Sequence, residues 1–372
     1  MVTSNMHTYG GAEHLIVTLA NHMTRNGIEN ALLTTSIRPE IEKDLTGTKV
    51  IIRGKLPTAF GEAIALNMGI IANSKNYDVI NIHNYPTELA IGMCNKPVVW
   101  MCNEPAAYLL RQTSTSLGSN IKYGLILNVG RRLVRRHVDR AVVADEFNAE
   151  RFRSIYGIDP DIINYGIDSA FFSDKRLAKP RPDFSGRFVV LQVGGLQQFK
   201  NQIASLRTVN VLKERIPNVL LVLAGGCGVG DPYKSRLEEY IHENRLEKYV
   251  TFTGHVSRKE IRDLYYVCDV LLHPIKAQGG WLSPFEALCA EKPIVVSEEM
   301  TCSSIIRDKG IGTVTGDYVK AILDIYDSPT KYLGMARKGR VFVQSSLSWD
   351  KFCNGMVSVF EKAIKGESAP RI

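Results

Sequence analysis

The sequence predicts an α/β protein made of two parallel-sheet domains, and three observations carry that reading. Short apolar runs rich in β-branched residues alternate with amphipathic segments along nearly the whole chain, the pattern that parallel strands joined by crossover helices impose. The 372 residues exceed what a single hydrophobic core comfortably organises, so two cores are expected. A stretch rich in Lys, Pro and Asp at 173–187 separates two such series, as an interdomain linker would.

The first series starts abruptly. Met1 to Ser4 reads as the end of a first strand whose earlier residues are absent or never encoded. Gly10-Gly11 then precedes a helix with apolar Leu15, Ile16, Leu19, Ala20 and Met23, closed by Gly27. A glycine turn between strand and helix sets backbone amides where a phosphate can rest, although such turns also occur with no ligand. Strands are expected at 31–35, 49–53, 79–83, 98–101 and 140–144, with helical segments near 60–73, 86–94, 105–112, 121–138 and 146–156. In parallel sheets ligands gather at the carboxyl ends of strands. His83, closing DVINIH, and Glu104, in NEP, stand at two such ends and are candidates for catalysis or acceptor binding. A buried structural histidine and a first-turn helix charge are the plainer alternatives. The helix at 121–138 gathers Arg131, Arg132, Arg135 and Arg136 on one face, with Ile126, Val129, Leu133, Val134 and Val138 opposite. Such a helix suits an anionic membrane surface or a diphosphate-bearing acceptor, or is simply solvated.

The second series carries strands at 188–193, 218–224, 249–253, 267–273, 293–297 and 311–314, a last amphipathic helix at 349–364 and a tail at 366–372. Its most informative stretch is HPIKAQGGWLSPFEALCAEKPIVVS, from His273 to Ser297. This reads as strand, glycine loop, helix and strand, with Ser283 as N-cap and Pro284 at the first helical position. Orphan N–H groups and glycines there suit a phosphate or a crowd of sugar hydroxyls, and Glu286 would aim a carboxylate at the same space. An ordinary βαβ unit is the alternative.

Composition narrows the classes. With 45% hydrophobic and 23% charged residues the chain is globular, and no apolar run approaches the roughly 18 residues of a membrane span. No basic segment and apolar core of a signal peptide opens the chain, so a cytoplasmic location is expected, with the inner membrane face as an extension of it. Seven cysteines lack paired or metal-binding spacing, and Cys94 and Cys102 fall at positions expected to be buried, so reduced thiols and no zinc are expected. A net charge of +8 asks for an anionic partner: nucleotide, lipid headgroup or nucleic acid. No aromatic-basic platform supports nucleic acid.

The ordered set GGAE, INYGID, VGGLQQFKN, VTFTGHV and QGGWLSPFEALCAEKPIVVS is similar to family 4 of the retaining glycosyltransferases, over nearly the whole chain. The resemblance implies the GT-B fold, two Rossmann-like domains facing across a cleft. Residues 1–168, with a crossing helix at 349–365, would bind the acceptor, and residues 169–348 the nucleotide-sugar donor. It further implies transfer of a sugar from that donor to a glycan, lipid-linked or protein acceptor, with retention, with no metal and with no cofactor beyond the co-substrate. Position by position, Lys200, His83 and Gln278 take the catalytic roles. Gly10, Gly11, Lys200, Val256, Gly279, Gly280, Trp281, Leu282 and Glu286 surround the donor, and His83 and Glu104 the acceptor. Gln278 stands where the family's first loop glutamate is usual, and Gly195 where an arginine is usual; Lys276 or an arginine elsewhere in the chain is expected to supply that lost charge. A nucleotide-sugar 2-epimerase and a degenerate, non-catalytic binding homologue share the fold and remain alternatives. Sugar, base and acceptor identity are not readable from the scaffold.

Overall fold

The computed structural model describes residues 1–7, 10–54, 58–107, 117–177, 179, 182–228, 230–276, 279 and 281–371. The chain divides into two compact units, Met1–Gly166 with Trp349–Ile372, and Ile167–Ser348. Among the described residues no helix is long and apolar enough to cross a membrane. All seven cysteines are free thiols, Cys102 buried and Cys94 half-buried.

The first unit contains β1 (Asn5–Met6), α1 (Gly11–Arg25), β2 (Ala31–Thr34), β3 (Ser36–Ile37), α2 (Pro39–Lys43), β4 (Lys49–Ile52), α3 (Ala59–Asn73), β5 (Ile80–His83), β6 (Val98–Met101), α4 (Leu117–His137), β7 (Arg140–Val143), α5 (Glu146–Tyr156) and β8 (Asp161–Ile162). β2 pairs with β4, and β5 to β8 pair in sequence order, all parallel. Val2 joins the two sets, bridging Leu33 of β2 and Ile82 of β5. The resulting order, β4-β2-Val2-β5-β6-β7-β8, is that of a doubly wound sheet. Both faces are covered, as the strand period of two shows. Val98 and Trp100 pack with Leu66, Val134 and Phe152 on one side, while Val99 and Met101 pack with Leu15, Leu19, Phe352 and Met356 on the other. The last two belong to the final helix, Trp349–Ile364, which lies against α1, β6 and β7.

Some local expectations change. The segment at 86–94, caught between Pro86 and Gly92, forms only a short 3-10 turn, Thr87–Leu89. The helix expected at 105–112 lies outside the described residues from Tyr108 onward. Arg140 opens β7, as the strand expected at 140–144 requires, and its guanidinium donates to both carboxylate oxygens of Asp161 at 2.9 Å. Val129 is also not on a covered face of α4, being 37% exposed.

The second unit carries α6 (Ser169–Ser173), β9 (Phe188–Val193), α7 (Gln202–Leu212), β10 (Val219–Ala224), α8 (Pro232–Glu243), β11 (Val250–Gly254), α9 (Arg258–Val267), β12 (Val270–His273), α10 (Leu282–Cys289), β13 (Ile294–Val296), α11 (Ser303–Lys309), β14 (Thr313–Val314), α12 (Tyr318–Asp327) and α13 (Pro329–Ser346). The sheet order is β11-β10-β9-β12-β13-β14, all parallel. The chain reverses direction across the sheet between β9 and β12, and doubly wound sheets hold their ligands outside the carboxyl ends of strands at such a point.

At that end two backbones touch. A Cβ placed on Gly225, whose φ is +158°, would lie 2.1 Å from the carbonyl oxygen of Gly194, a contact with backbone that cannot swing away. Gly225→Ala is therefore expected to cost about 3 kcal/mol of stability, near the upper end of overpacking penalties. Urea unfolding checks it; an unchanged midpoint would show that the two turns have room to part.

Candidate functional site

The site in the second unit is built where β9, β10 and β12 end. β9 runs into Gly194-Gly195 and β10 into Gly225-Gly226, and the turns are tied by Gly194 N–H donating to Ala224 O (2.8 Å) and Leu196 N–H donating to Gly226 O (2.9 Å). Lys200 ends a short 3-10 turn and folds its side chain back over Gly194, Cε and Nζ lying 3.3 and 3.7 Å from where a Cβ would stand. Any side chain at 194 would displace that ammonium from the strand end. The turn is held from below: the Gln192 amide donates to Lys200 O at 2.7 Å, and the Ser205 hydroxyl donates to Gln192 Oε1 at 2.7 Å. Lys276 N–H donates to Phe199 O (2.8 Å), and Asn201 Nδ2 donates to Pro274 O (2.9 Å), stitching the Lys200 turn to the loop after β12. Lys276 is exposed beside it, so two cationic side chains rise from one end of the sheet. Gly195 has a spatial reason: a Cβ there would meet Gly226 O at 3.3 Å, tighter than most real contacts.

The loop and helix after β12 differ in detail from expectation. α10 starts at Leu282 with Trp281 as its cap, so Ser283 and Pro284 are its second and third residues, not cap and first. Proline is tolerated there because first-turn N–H groups have no helical partner to lose. Trp281 is 3% exposed, its ring 5.1 Å from that of Phe285, so its side chain belongs to the core. Leu282 is half-buried at the helix start, and Val256 is half-buried in the turn between β11 and α9. Gly279 lies in the loop; Gln278 and Gly280 lie outside the described residues.

Glu286 is more enclosed than a helix-surface acid. Tyr265, fully buried on α9, donates its hydroxyl to Glu286 Oε2 at 2.9 Å, and burial pushes the carboxyl up to about 7 against the opposing pull of that hydrogen bond and of Arg258. Arg258 pairs with Asp168 at 3.3 Å and stands over the rings of Phe171 and Phe172 at 5.1 and 5.6 Å. Neither Tyr265 nor this Arg258 group was visible in the motifs, because no spacing rule links α9 to α10.

In the first unit, the glycine turn before α1 is corrected. Gly10 N–H donates to Glu13 Oε2 at 3.0 Å, so the chain's own carboxylate occupies the donor expected to face a diphosphate. The signal was present: a glutamate three residues past the cap is half of a capping box. His83 ends β5 with 1% exposure. Asn81 Nδ2 donates to Val99 O (3.1 Å), so its Oδ1 accepts from His83 Nε2 at 2.6 Å, which leaves Nδ1 the acceptor nitrogen, with no hydrogen-bond partner among the described residues. Burial first, and the Met1 ammonium second, depress the ring to about 3. Glu104 is 12% exposed at its side chain and pairs with Arg151 at 3.6 Å. Sequence reasoning missed Glu88, 2% exposed and raised by burial to about 8 in the turn after β5. Gly11 opens α1 as expected. A cavity of about 380 Å³ lined by Ala31, Tyr77, Ile80 and Phe360 sits at the amino ends of the strands, away from this site. Among the described residues no three His, Cys, Asp or Glu side chains gather as a metal ligand set.

Two doubly wound parallel units, one carrying a glycine-and-lysine strand end, define a GT-B scaffold. Family models agree: "Glycosyltransferase Family 4" matches residues 9–171 and "Glycosyl transferases group 1" matches residues 174–341. The chain belongs to these family 4 glycosyltransferases. D-inositol 3-phosphate glycosyltransferase of Mycobacteroides abscessus is 25% identical over 65% of this chain and 56% of its own length. The enzyme of that name in Mycolicibacterium paratuberculosis is 22% identical over 97% of this chain and 88% of its own. Spore coat protein SA of Bacillus subtilis is 26% identical, with 48% of this chain matching 49% of that protein, so the chain spans about half the length of two of these three relatives. In fold, HepE of Anabaena solved with UDP-glucose matches 97% of this chain and 100% of its own with a TM-score of 0.79 at 17% identity. Sucrose-phosphate synthase of Thermosynechococcus elongatus matches 98% and 99% with 0.78 at 15%.

The depressed His83 is neutral wherever the fold persists, and native stability declines as pH falls below its unfolded value of about 6.5. Its ring proton resonances are expected to stay fixed from about pH 5 to 8, whereas titration near 6.5 would show an open, solvated ring.

Proposed function

We propose that the protein is a retaining, metal-independent glycosyltransferase that takes a sugar from a nucleotide-sugar held by the second unit and gives it to a glycan, lipid-linked or protein acceptor held by the first. The supporting observation is the Lys200 ammonium folded over Gly194 at the switch point of a parallel sheet, stitched to the glycine loop that leads into α10. The bond between the anomeric carbon and the phosphate oxygen breaks, and its electron pair leaves with the diphosphate. The acceptor hydroxyl oxygen bonds to the same face, and its proton passes to the departing phosphate oxygen. Charge thus builds on the leaving group, where a fixed ammonium and backbone N–H donors stabilise it without reorganising. Lys200 supplies the first of these; Lys276 adds charge from the same end. Glu286 Oε1 accepts ribose hydroxyls, and the half-buried segment at Val256 flanks the base. Gln278, in place of a glutamate, still bonds a hydroxyl. His83, neutral and buried at the end of β5, keeps Nδ1 as an acceptor within the acceptor-binding unit, without acid–base exchange. Location at the cytoplasmic membrane face, through Arg131, Arg132, Arg135 and Arg136, fits a lipid-linked acceptor, and nucleic acid has no part in this reading. UDP is the first nucleotide to test, since HepE was solved with UDP and UDP-glucose.

Lys200→Ala is expected to lower kcat by roughly 10²–10³ with a much smaller change in KM, as loss of a charge that acts on the leaving group. Proton NMR of the product should show the donor's anomeric configuration, and chelator should leave the rate unchanged. An inverted product, or a Lys200→Ala enzyme at full rate, defeats the reading; tight UDP binding with no turnover would favour a binding protein. Because Glu286 accepts hydroxyls best as a carboxylate and is raised to about 7, UDP affinity should climb as pH passes from 6 to 8, by about tenfold, and Glu286→Gln should flatten that profile. Calorimetry across this range measures both.

A further inference from the structure

Helix α3 is turned inside out. Its sequence AFGEAIALNMGIIAN carries one charged residue, Glu62, and the fold buries that residue to 8% exposure. All five of the helix's exposed residues are apolar: Phe60, Ile64, Met68, Ile71 and Ala72. The four large ones are 58%, 45%, 61% and 48% exposed. At about 100° per residue they fall within an arc of roughly 80°, one stripe about 16 Å long. A helix apolar on all sides is ordinarily covered on all sides, and this one is covered on only one.

The surroundings say what covers it. Past the end of the stripe, Ile71 shares a shallow surface hollow with Met93, itself 71% exposed, and Lys75 and Lys96 form part of its wall. Arg53 packs its stem toward Gly69 on the same helix. α3 and α4 both rest on the Thr87–Leu89 turn, and α4 exposes Leu125 at 68% and Val129 at 37% ahead of its exposed arginines 131, 132, 135 and 136. Of the acids nearest in sequence, Glu62 on the helix and Glu88 in the following turn are buried, while Asp78, beyond the helix end, is the exposed one. The surface thus pairs apolar side chains with cations and offers no carboxylate from α3 itself. A single stripe is narrower than the roughly 800 Å² per partner of a stable protein interface, but it has the scale of one helix lying about 5–10 Å deep in a bilayer surface.

We propose that the outward face of α3 inserts into the headgroup boundary of an anionic lipid bilayer, with Lys75, Lys96 and the α4 arginines on lipid phosphates. This deepens the membrane contact in the proposed function. It rests on the first unit's surface alone, so its failure leaves donor chemistry untouched. The test sediments the full chain with vesicles of phosphatidylglycerol mixed into phosphatidylcholine and with phosphatidylcholine alone. Binding is expected to the anionic vesicles, falling about tenfold in Phe60→Ser/Met68→Ser, with melting temperature and UDP affinity unchanged. Phe60→Trp should shift its emission to the blue on anionic vesicles only. Lys75→Glu/Lys96→Glu should weaken binding most at low salt. No sedimentation, equal sedimentation with both vesicles, or undiminished binding by the serine variant overturns the proposal. So does a parent dimer that the serine variant turns into monomer, since the stripe would then be covered by a second copy.

Discussion

The close approach of Gly225 to the Gly194 carbonyl sets the geometry of that end of the second unit's sheet. Two adjacent parallel strands end together there, and their turns interlock only because neither carries a side chain. The space this frees above Gly194 is where Lys200 folds, and its turn is bonded both to the strand below and to the loop after β12. A charge placed by three neighbouring segments needs no rearrangement when a diphosphate departs, which is the physical content of electrostatic preorganisation. The cost is brittleness: such a site tolerates no added carbon.

Much of this was legible in the sequence, for identifiable reasons. β-branched runs mark buried parallel strands because both faces must be apolar, and the strand at 188–193 and the helix at 146–156 fall where the pattern places them. Glycine pairs at strand ends mark backbone approach, and Gly194-Gly195 and Gly225-Gly226 occupy such ends. What failed to show were contacts between elements far apart in sequence. Tyr265 reaches Glu286 across 21 residues, and nothing in either helix's period announces the bond. The motif around Trp281 likewise does not announce that its ring packs against Phe285 of α10. Glu13 is the opposite case, since its spacing from Gly10 is a local capping signal present in the sequence.

The α3 helix shows why pattern alone cannot choose the solvent face. Its composition is apolar nearly all round, so periodicity carries little information about orientation, and tertiary packing decides. Packing has turned Glu62 and the small residues Ala63 and Gly69 inward, where β2 and the Thr87–Leu89 turn approach closely. A Cβ at Gly69 would sit 2.7 Å from Leu33, so a larger residue cannot take that inner place, and the bulky side chains are left outside. An apolar surface produced in this way is not a packing accident to be tolerated cheaply. Each exposed large side chain forgoes roughly 25 cal/mol per Å² of apolar area that burial would contribute. A fold that keeps four of them in a row beside lysines gains that energy only when something with an apolar interior and a negative surface comes to meet it.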